Sequence, residues 1–179
     1  MKKSNTGLFR VVLSSMFLAL ALVLPFLTGQ LQSIGNMLCP MHLPVLLCGF
    51  FCGPSYAVVV GFLAPLVRFV LFGMPTLVPN GVAMCFELSA YGLVSGMLYR
   101  LLPKSKKNIY ISLISAMIVG RIVWGIAELI MFGLEGSQFG WAIFFSHAFT
   151  KAIPGIILQL ILVPILVIVL TKQFPRLED

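Results

Sequence analysis

The stretch Gly81-Val82-Ala83-Met84-Cys85-Phe86-Glu87-Leu88-Ser89-Ala90-Tyr91-Gly92-Leu93-Val94-Ser95-Gly96-Met97-Leu98-Tyr99-Arg100-Leu101-Leu102 decides the fold. As a helix rising 1.5 Å per residue it would be about 33 Å long, enough to cross a hydrocarbon core of about 30 Å. Its only charges are Glu87, deep inside, and Arg100, near one end. A charge at bilayer depth costs about 2.5–3.5 kcal/mol on the mildest scales, so Glu87 is expected to face protein or an aqueous cavity. Arg68, Arg121, Glu128 and Lys151 interrupt other apolar stretches in the same way. Together they predict a membrane protein built around a polar pocket.

Composition agrees. The chain is 179 residues long, 60% hydrophobic and 9% charged, with a mean hydropathy of +1.08, whereas soluble domains average about 25% charged residues. The net charge of +7 does not signal nucleic acid, because nine of the twelve basic residues are flanking charges. Lys2, Lys3 and Arg10 precede the first apolar run, Arg100, Lys104, Lys106 and Lys107 share one loop, and Lys172 and Arg176 follow the last run. Residues 29–41, 73–80 and 133–140 contain no Lys or Arg and one acid, Glu135. The positive-inside rule assigns the basic loops to the cytoplasm and the others to the outside.

These signals predict an all-α membrane protein of one integral domain, residues 1–179, with six transmembrane helices over 8–27, 42–52, 55–72, 81–102, 108–132 and 141–170. Both termini then lie in the cytoplasm. The segment 42–52 is too short to span as a straight helix; it is read as a tilted or partial helix, or one starting near Met37. Gly53-Pro54 ends it, and Asn80 is a candidate N-cap for the fourth span. Residues 1–30 read as a retained helix, because no small-x-small cleavage pattern follows the apolar core.

The polar residues of the later spans fall into helical register. Asn80, Met84, Glu87 and Tyr91 form one stripe of the fourth span. Arg121, Trp124 and Glu128 form one of the fifth, and Phe144, His147 and Lys151 one of the sixth. Converging, these stripes would line a cavity. The alternative is that the charges join helices, with Glu87 paired to Lys151 and Glu128 to Arg121 or Arg68. Buried pairs need not stabilise a fold, so several in so small a chain favour a binding site. Ser15 and Ala19, and again Gly92 and Gly96, are small-xxx-small pairs that let helix backbones approach closely, within the chain or against a partner.

Other chemistries find little support. Cys39, Cys48, Cys52 and Cys85 lack metal-site spacing and read as packing residues, so no metal or other cofactor is expected. There is no P-loop, HExxH or nucleophile elbow, and no enzyme activity is expected. A self-sufficient secondary transporter, coupling a proton to its substrate through Glu87 or Glu128, is the competing reading; no inverted repeat between the halves of the chain supports it.

The chain resembles the substrate-binding S components of energy-coupling factor (ECF) transporters, the bacterial vitamin importers. The resemblance rests on its length, six spans and basic N-terminus, and on two segments. One is His42-Leu43-Pro44-Val45-Leu46-Leu47-Cys48-Gly49-Phe50-Phe51-Cys52-Gly53-Pro54; the other is Phe86-Glu87-Leu88-Ser89-Ala90-Tyr91-Gly92-Leu93-Val94-Ser95-Gly96. It implies a multi-pass protein of the bacterial plasma membrane that binds a micronutrient near its outer side, under a lid formed by residues 29–41. It also implies docking of the first helix, through an Ala-xxx-Ala pattern, on a transmembrane coupling protein powered by two cytoplasmic ATPases. Ser15 and Ala19 occupy that pattern, with Ser15 departing from its first Ala. The expected substrate-binding residues are Glu87, Tyr91, Trp124, Glu128, His147, Lys151, Asn80 and Arg121. Aromatic side chains, Phe86, Phe144 and Phe145 among them, would stack a flat ring while the two carboxylates accept hydrogen bonds from its NH groups, so a small heteroaromatic vitamin fits. Pyridoxine-like, pyrimidine-like and deazaguanine-like compounds all remain open.

Overall fold

The computed structural model describes residues 3–28, 38–134 and 153–173. Among the described residues it contains six α-helices and no strand: α1 (Lys3–Val23), α2 (His42–Cys52), α3 (Pro54–Phe72), α4 (Val82–Leu101), α5 (Lys106–Leu134) and α6 (Ile153–Gln173). Five are long and apolar enough to cross a membrane. Their outer faces carry aliphatic stripes, such as Ile153, Ile157, Ile161 and Ile165 on α6, all exposed. The spacing of four places such residues along one helix face, as a lipid-facing surface requires. The first helix starts earlier than the sequence predicts and tightens into a 3₁₀ turn over Leu24–Thr28. For the sixth span the described helix covers Ile153–Gln173, and residues 141–152 lie outside the described residues.

The short second segment is the centre of the bundle. Eleven residues reach only about 16 Å along a helix axis, roughly half a hydrocarbon core. Every residue of α2 except Leu43 is buried, and the helix packs against α1, α3, α4 and α6. A helix that cannot match the bilayer at both ends is thus wrapped by longer ones.

Close backbone approach holds this centre together, as expected where lipid supplies no hydrophobic drive between helices. A Cβ on Gly92 would lie 2.7 Å from the Ala57 backbone of α3, and one on Gly96 would lie 2.7 Å from Pro54 N and 2.8 Å from Gly49 O. A Cβ on Gly49 would collide with Ser95. Gly92 and Gly96 are therefore consumed by internal packing.

One end of the bundle is basic and well capped. Gly53 has φ 93°, a conformation that favours glycine, and Pro54 opens α3 directly after it. Arg100 donates from Nη2 to Cys52 O at 3.0 Å, closing the carboxyl end of α2; a Cβ on Gly53 would occupy the space of that guanidinium. Lys104 Nζ donates to Tyr99 O at 2.9 Å, at the end of α4. Ser105 Oγ accepts from Asn108 N–H at 3.3 Å and caps α5. At the opposite end the N-cap of α4 is Gly81, without a side-chain cap. Asn80 instead lies half-buried in a π turn over Leu77–Gly81 that Gly81 N–H closes on Thr76 O at 2.8 Å.

Arg68 serves this architecture. Its Nη1 donates to Leu22 O at 3.1 Å, and its guanidinium carbon lies 5.8 Å from the Phe26 ring and 5.6 Å from that of Phe72. The carbonyls near a helix end lack intrahelical donors, so the arginine ties the end of α1 to α3.

Candidate functional site

Helix α4 packs against α2, α3 and α5, and its interior face offers Glu87 and Tyr91 to α2 and α5. The buried positions of α5 include Ala116, Met117, Arg121, Trp124 and Glu128, the spacing of three and four residues that puts them on one face. Both predicted stripes therefore turn inward. Measured from their basic ends, Glu87 and Arg121 sit at nearly the same depth, about 21 and 22 Å along their helices. Equal depth brings them together.

Arg121 Nη1 lies 3.1 Å from Glu87 Oε1, and His42 Nε2 lies 3.4 Å from Glu87 Oε2. Arg121 also donates from Nη2 to Cys39 Sγ at 3.6 Å. Cys39 has φ 47° and its carbonyl accepts from His42 N–H at 3.1 Å, so the entry to α2 folds back over the pair. The His42 ring meets Tyr91 edge-on, with centroids 5.1 Å apart and planes at 76°. Tyr91 in turn lies over Gly120, where a Cβ would come within 3.1 Å of the ring. Glu87 is 1% exposed and Arg121 9%. A carboxylate and a guanidinium so deep are tolerated because each neutralises the other.

Outward from this layer, Trp124 packs against Ala83 and Ala127, with the Arg121 guanidinium carbon 6.0 Å from its ring centre. Glu128 follows, about 10 Å beyond Arg121 along α5. It is 5% exposed and makes no ion pair among the described residues. The order from the interior outward is thus Tyr91, then Glu87 with Arg121 and His42, then Trp124, then Glu128.

Several sequence expectations change here. Arg121 pairs with Glu87 on the neighbouring helix, not with Glu128, which lies two turns away on its own helix; Arg68 serves the α1–α3 contact instead. Phe86 does not turn inward: it is 49% exposed and packs against Phe62 on the outer surface. His147 and Lys151, with Phe144 and Phe145, lie outside the described residues, as does the expected pairing of Glu87 with Lys151. Ser15 and Ala19 are exposed on α1, and Ser15 Oγ donates to Val11 O at 2.9 Å. The four cysteines are buried.

Two buried polar residues were not identifiable from periodicity. Cys39 lies outside any helix, where register says nothing. Gln159 is 2% exposed on a helix whose composition otherwise reads as lipid-facing throughout, and its Oε1 meets no hydrogen-bond donor among the described residues. His42 Nδ1 and Arg121 Nε are also buried without a hydrogen-bond partner among the described residues. Unsatisfied buried polar atoms are uncommon enough to require an explanation.

A family model described as ECF transporter, substrate-specific component, matches residues 9–167. No curated protein and no solved structure matches the chain.

Proposed function

Because the chain belongs to the substrate-specific components of ECF transporters, a family of transporter components and not of enzymes, we propose that it captures a small, water-soluble, heteroaromatic micronutrient from outside a bacterial cell. Glu128 carries the reading: a buried carboxylate without an ion pair among the described residues, beyond a floor in which Glu87 and Arg121 neutralise each other. Its oxygens are available to accept hydrogen bonds from ring or exocyclic NH groups, and Trp124 supplies a flat apolar wall. Asn80, in the turn before α4, belongs to the entrance in this reading. Tyr91, Glu87 and Arg121 form the base, and His147 and Lys151 complete the proposed set.

The basic residues at one end of the bundle, Arg100, Lys104, Lys106 and Lys107 among them, support a cytoplasmic placement of that end and of both termini. The site lies in the half of the bundle away from them, which suits capture from outside. Delivery is by docking on a transmembrane coupling protein driven by two cytoplasmic ATPases. The exposed positions of Ser15 and Ala19, among the exposed apolar residues Val12, Met16 and Leu20, support α1 as the docking face.

The test is purification of the full chain in detergent, mass spectrometry of the small molecule that stays bound, and uptake of that molecule by cells expressing the chain with and without the coupling protein and ATPases. Retention of an aromatic heterocycle and ATP-dependent uptake are expected. An empty protein whose uptake follows a proton gradient without those partners would establish the secondary-transporter reading instead.

A further inference from the structure

Helix α6 buries Gly155, Gln159, Val163 and Val167, four residues spaced by four that form one face. Among the described helices α6 packs against α5 and α2, so this face is turned toward the helices that carry Arg121 and His42. Gln159 is about 21 Å along α6 from Gln173, the depth found for Glu87 and Arg121 from their own basic ends. Gln159 is thus the only polar member of an otherwise apolar buried face, at a helix depth that matches the ion pair by residue count, and its carbonyl oxygen lacks a donor among the described residues. An orphaned buried amide oxygen costs about 1–3 kcal/mol, and leucine in its place would cost nothing of the kind. Packing gives no reason for a glutamine here.

We propose that Gln159 is a substrate-reading residue which, with Arg121 and His42, grips the lactam edge of a heterocycle, a ring N–H beside a ring C=O. The inference rests on the function proposed above and names the substrate class of that site. Gln159 Oε1 can only accept, so it calls for a ligand N–H. Arg121 Nε–H can only donate and has no acceptor among the described residues, so it calls for a ligand carbonyl. His42 Nδ1, also without a partner among them, accepts or donates according to tautomer. The layer has no formal charge to spare, because Glu87 and Arg121 cancel at 3.1 Å. A carboxylate or an ammonium group entering it would be left uncompensated, whereas a neutral edge with one donor and one acceptor is matched. Pyrimidinone and deazaguanine rings carry such an edge; pyridoxine and 4-amino-2-methylpyrimidine do not.

The test uses the purified full chain and four probes: uracil, 7-deazaguanine, pyridoxine and 4-amino-2-methylpyrimidine. Binding is read from thermal stabilisation and titration for the wild type, Gln159→Leu and Gln159→Glu. At least one lactam probe should stabilise the wild type, and neither lactam-free probe should do so as well. Gln159→Leu should melt at or above the wild-type temperature without probe and lose about tenfold or more in affinity for the lactam probe, the size expected for one buried hydrogen bond. Gln159→Glu, which keeps an acceptor, should retain more affinity than the leucine variant. If no probe binds but a lactam compound co-purifies, failure of Gln159→Leu to retain it supports the proposal. Either of two results overturns it: preference for a lactam-free probe, or equal affinity in Gln159→Leu whatever its melting temperature. A co-purified compound without a lactam overturns the proposal and leaves the micronutrient-binding function standing, whereas a protein that retains nothing and imports nothing with its partners removes that function itself.

Discussion

Glu87→Leu removes the carboxylate from between Arg121 and His42 while keeping a side chain of similar bulk. Arg121, 9% exposed, then loses the counter-charge that stood 3.1 Å away, and His42 loses its neighbour at 3.4 Å. Breaking a buried pair by removing one partner costs about 3–5 kcal/mol, because the remaining charge is left uncompensated. For chains of this size each kcal/mol moves a melting temperature by about 2–4 °C, so the variant should melt roughly 6–20 °C lower. The double variant Glu87→Leu/Arg121→Leu removes both charges, and such apolar replacements are often neutral or better. It should regain most of the loss. The assay is thermal unfolding of the four proteins in one detergent, followed by tryptophan fluorescence, analysed as a double-mutant cycle. The reasoning fails if the single variant melts within 2 °C of wild type, or if the double variant loses the sum of the two single losses. Either result would mean that the close approach of Glu87 and Arg121 carries no energetic coupling.

Glu128→Gln, in contrast, breaks no ion pair among the described residues. It should shift the melting temperature by less than about 2 °C, within the ordinary range of mild substitutions, while weakening retention of the co-purified molecule at least several-fold, as measured by titration after extraction and re-addition. Arg68→Leu should lower stability by about 2–4 kcal/mol, combining a charged hydrogen bond to Leu22 O with the flanking rings; proteolysis within residues 24–28 should accelerate while substrate affinity holds. Gly92→Leu would drive a side chain into the Ala57 backbone, where even a Cβ comes to 2.7 Å. It should cost several kcal/mol or abolish expression of folded protein, as read by size-exclusion profile.

The architecture was legible because its two largest signals are local. Long apolar runs between basic loops give the spans and their count, and a Gly-Pro break gives the end of α2. What the sequence could not show is how α2 is used. Length alone marks it as a failed span, and only the contacts with α1, α3, α4 and α6 make it the core. Gly92 and Gly96 illustrate the same gap: a small-xxx-small pair reports that backbones come close but not whose backbone arrives, and here it is Ala57, Pro54 and Gly49 within the chain. Asn80 failed as a cap because its chemistry suits that role anywhere, whereas the adjoining turn satisfies the backbone through Gly81 and Thr76.

In the site, periodicity placed Glu87, Tyr91, Arg121, Trp124 and Glu128 on interior faces but could not pair them, since pairing depends on depth across two helices. Counting residues from the basic loop between α4 and α5 would have shown that Glu87 and Arg121 share a level and that Glu128 lies farther out. That difference in depth separates the roles of two carboxylates that look equivalent in the sequence. Glu87, held from two sides, is poorly placed to exchange partners during a transport cycle, so a proton-coupled mechanism through it would have to break a buried ion pair. Glu128 has no such commitment among the described residues. A carboxylate that must respond to a solute is better placed above an already neutral floor than within it: there the solute, not a neighbouring arginine, supplies the missing hydrogen bonds.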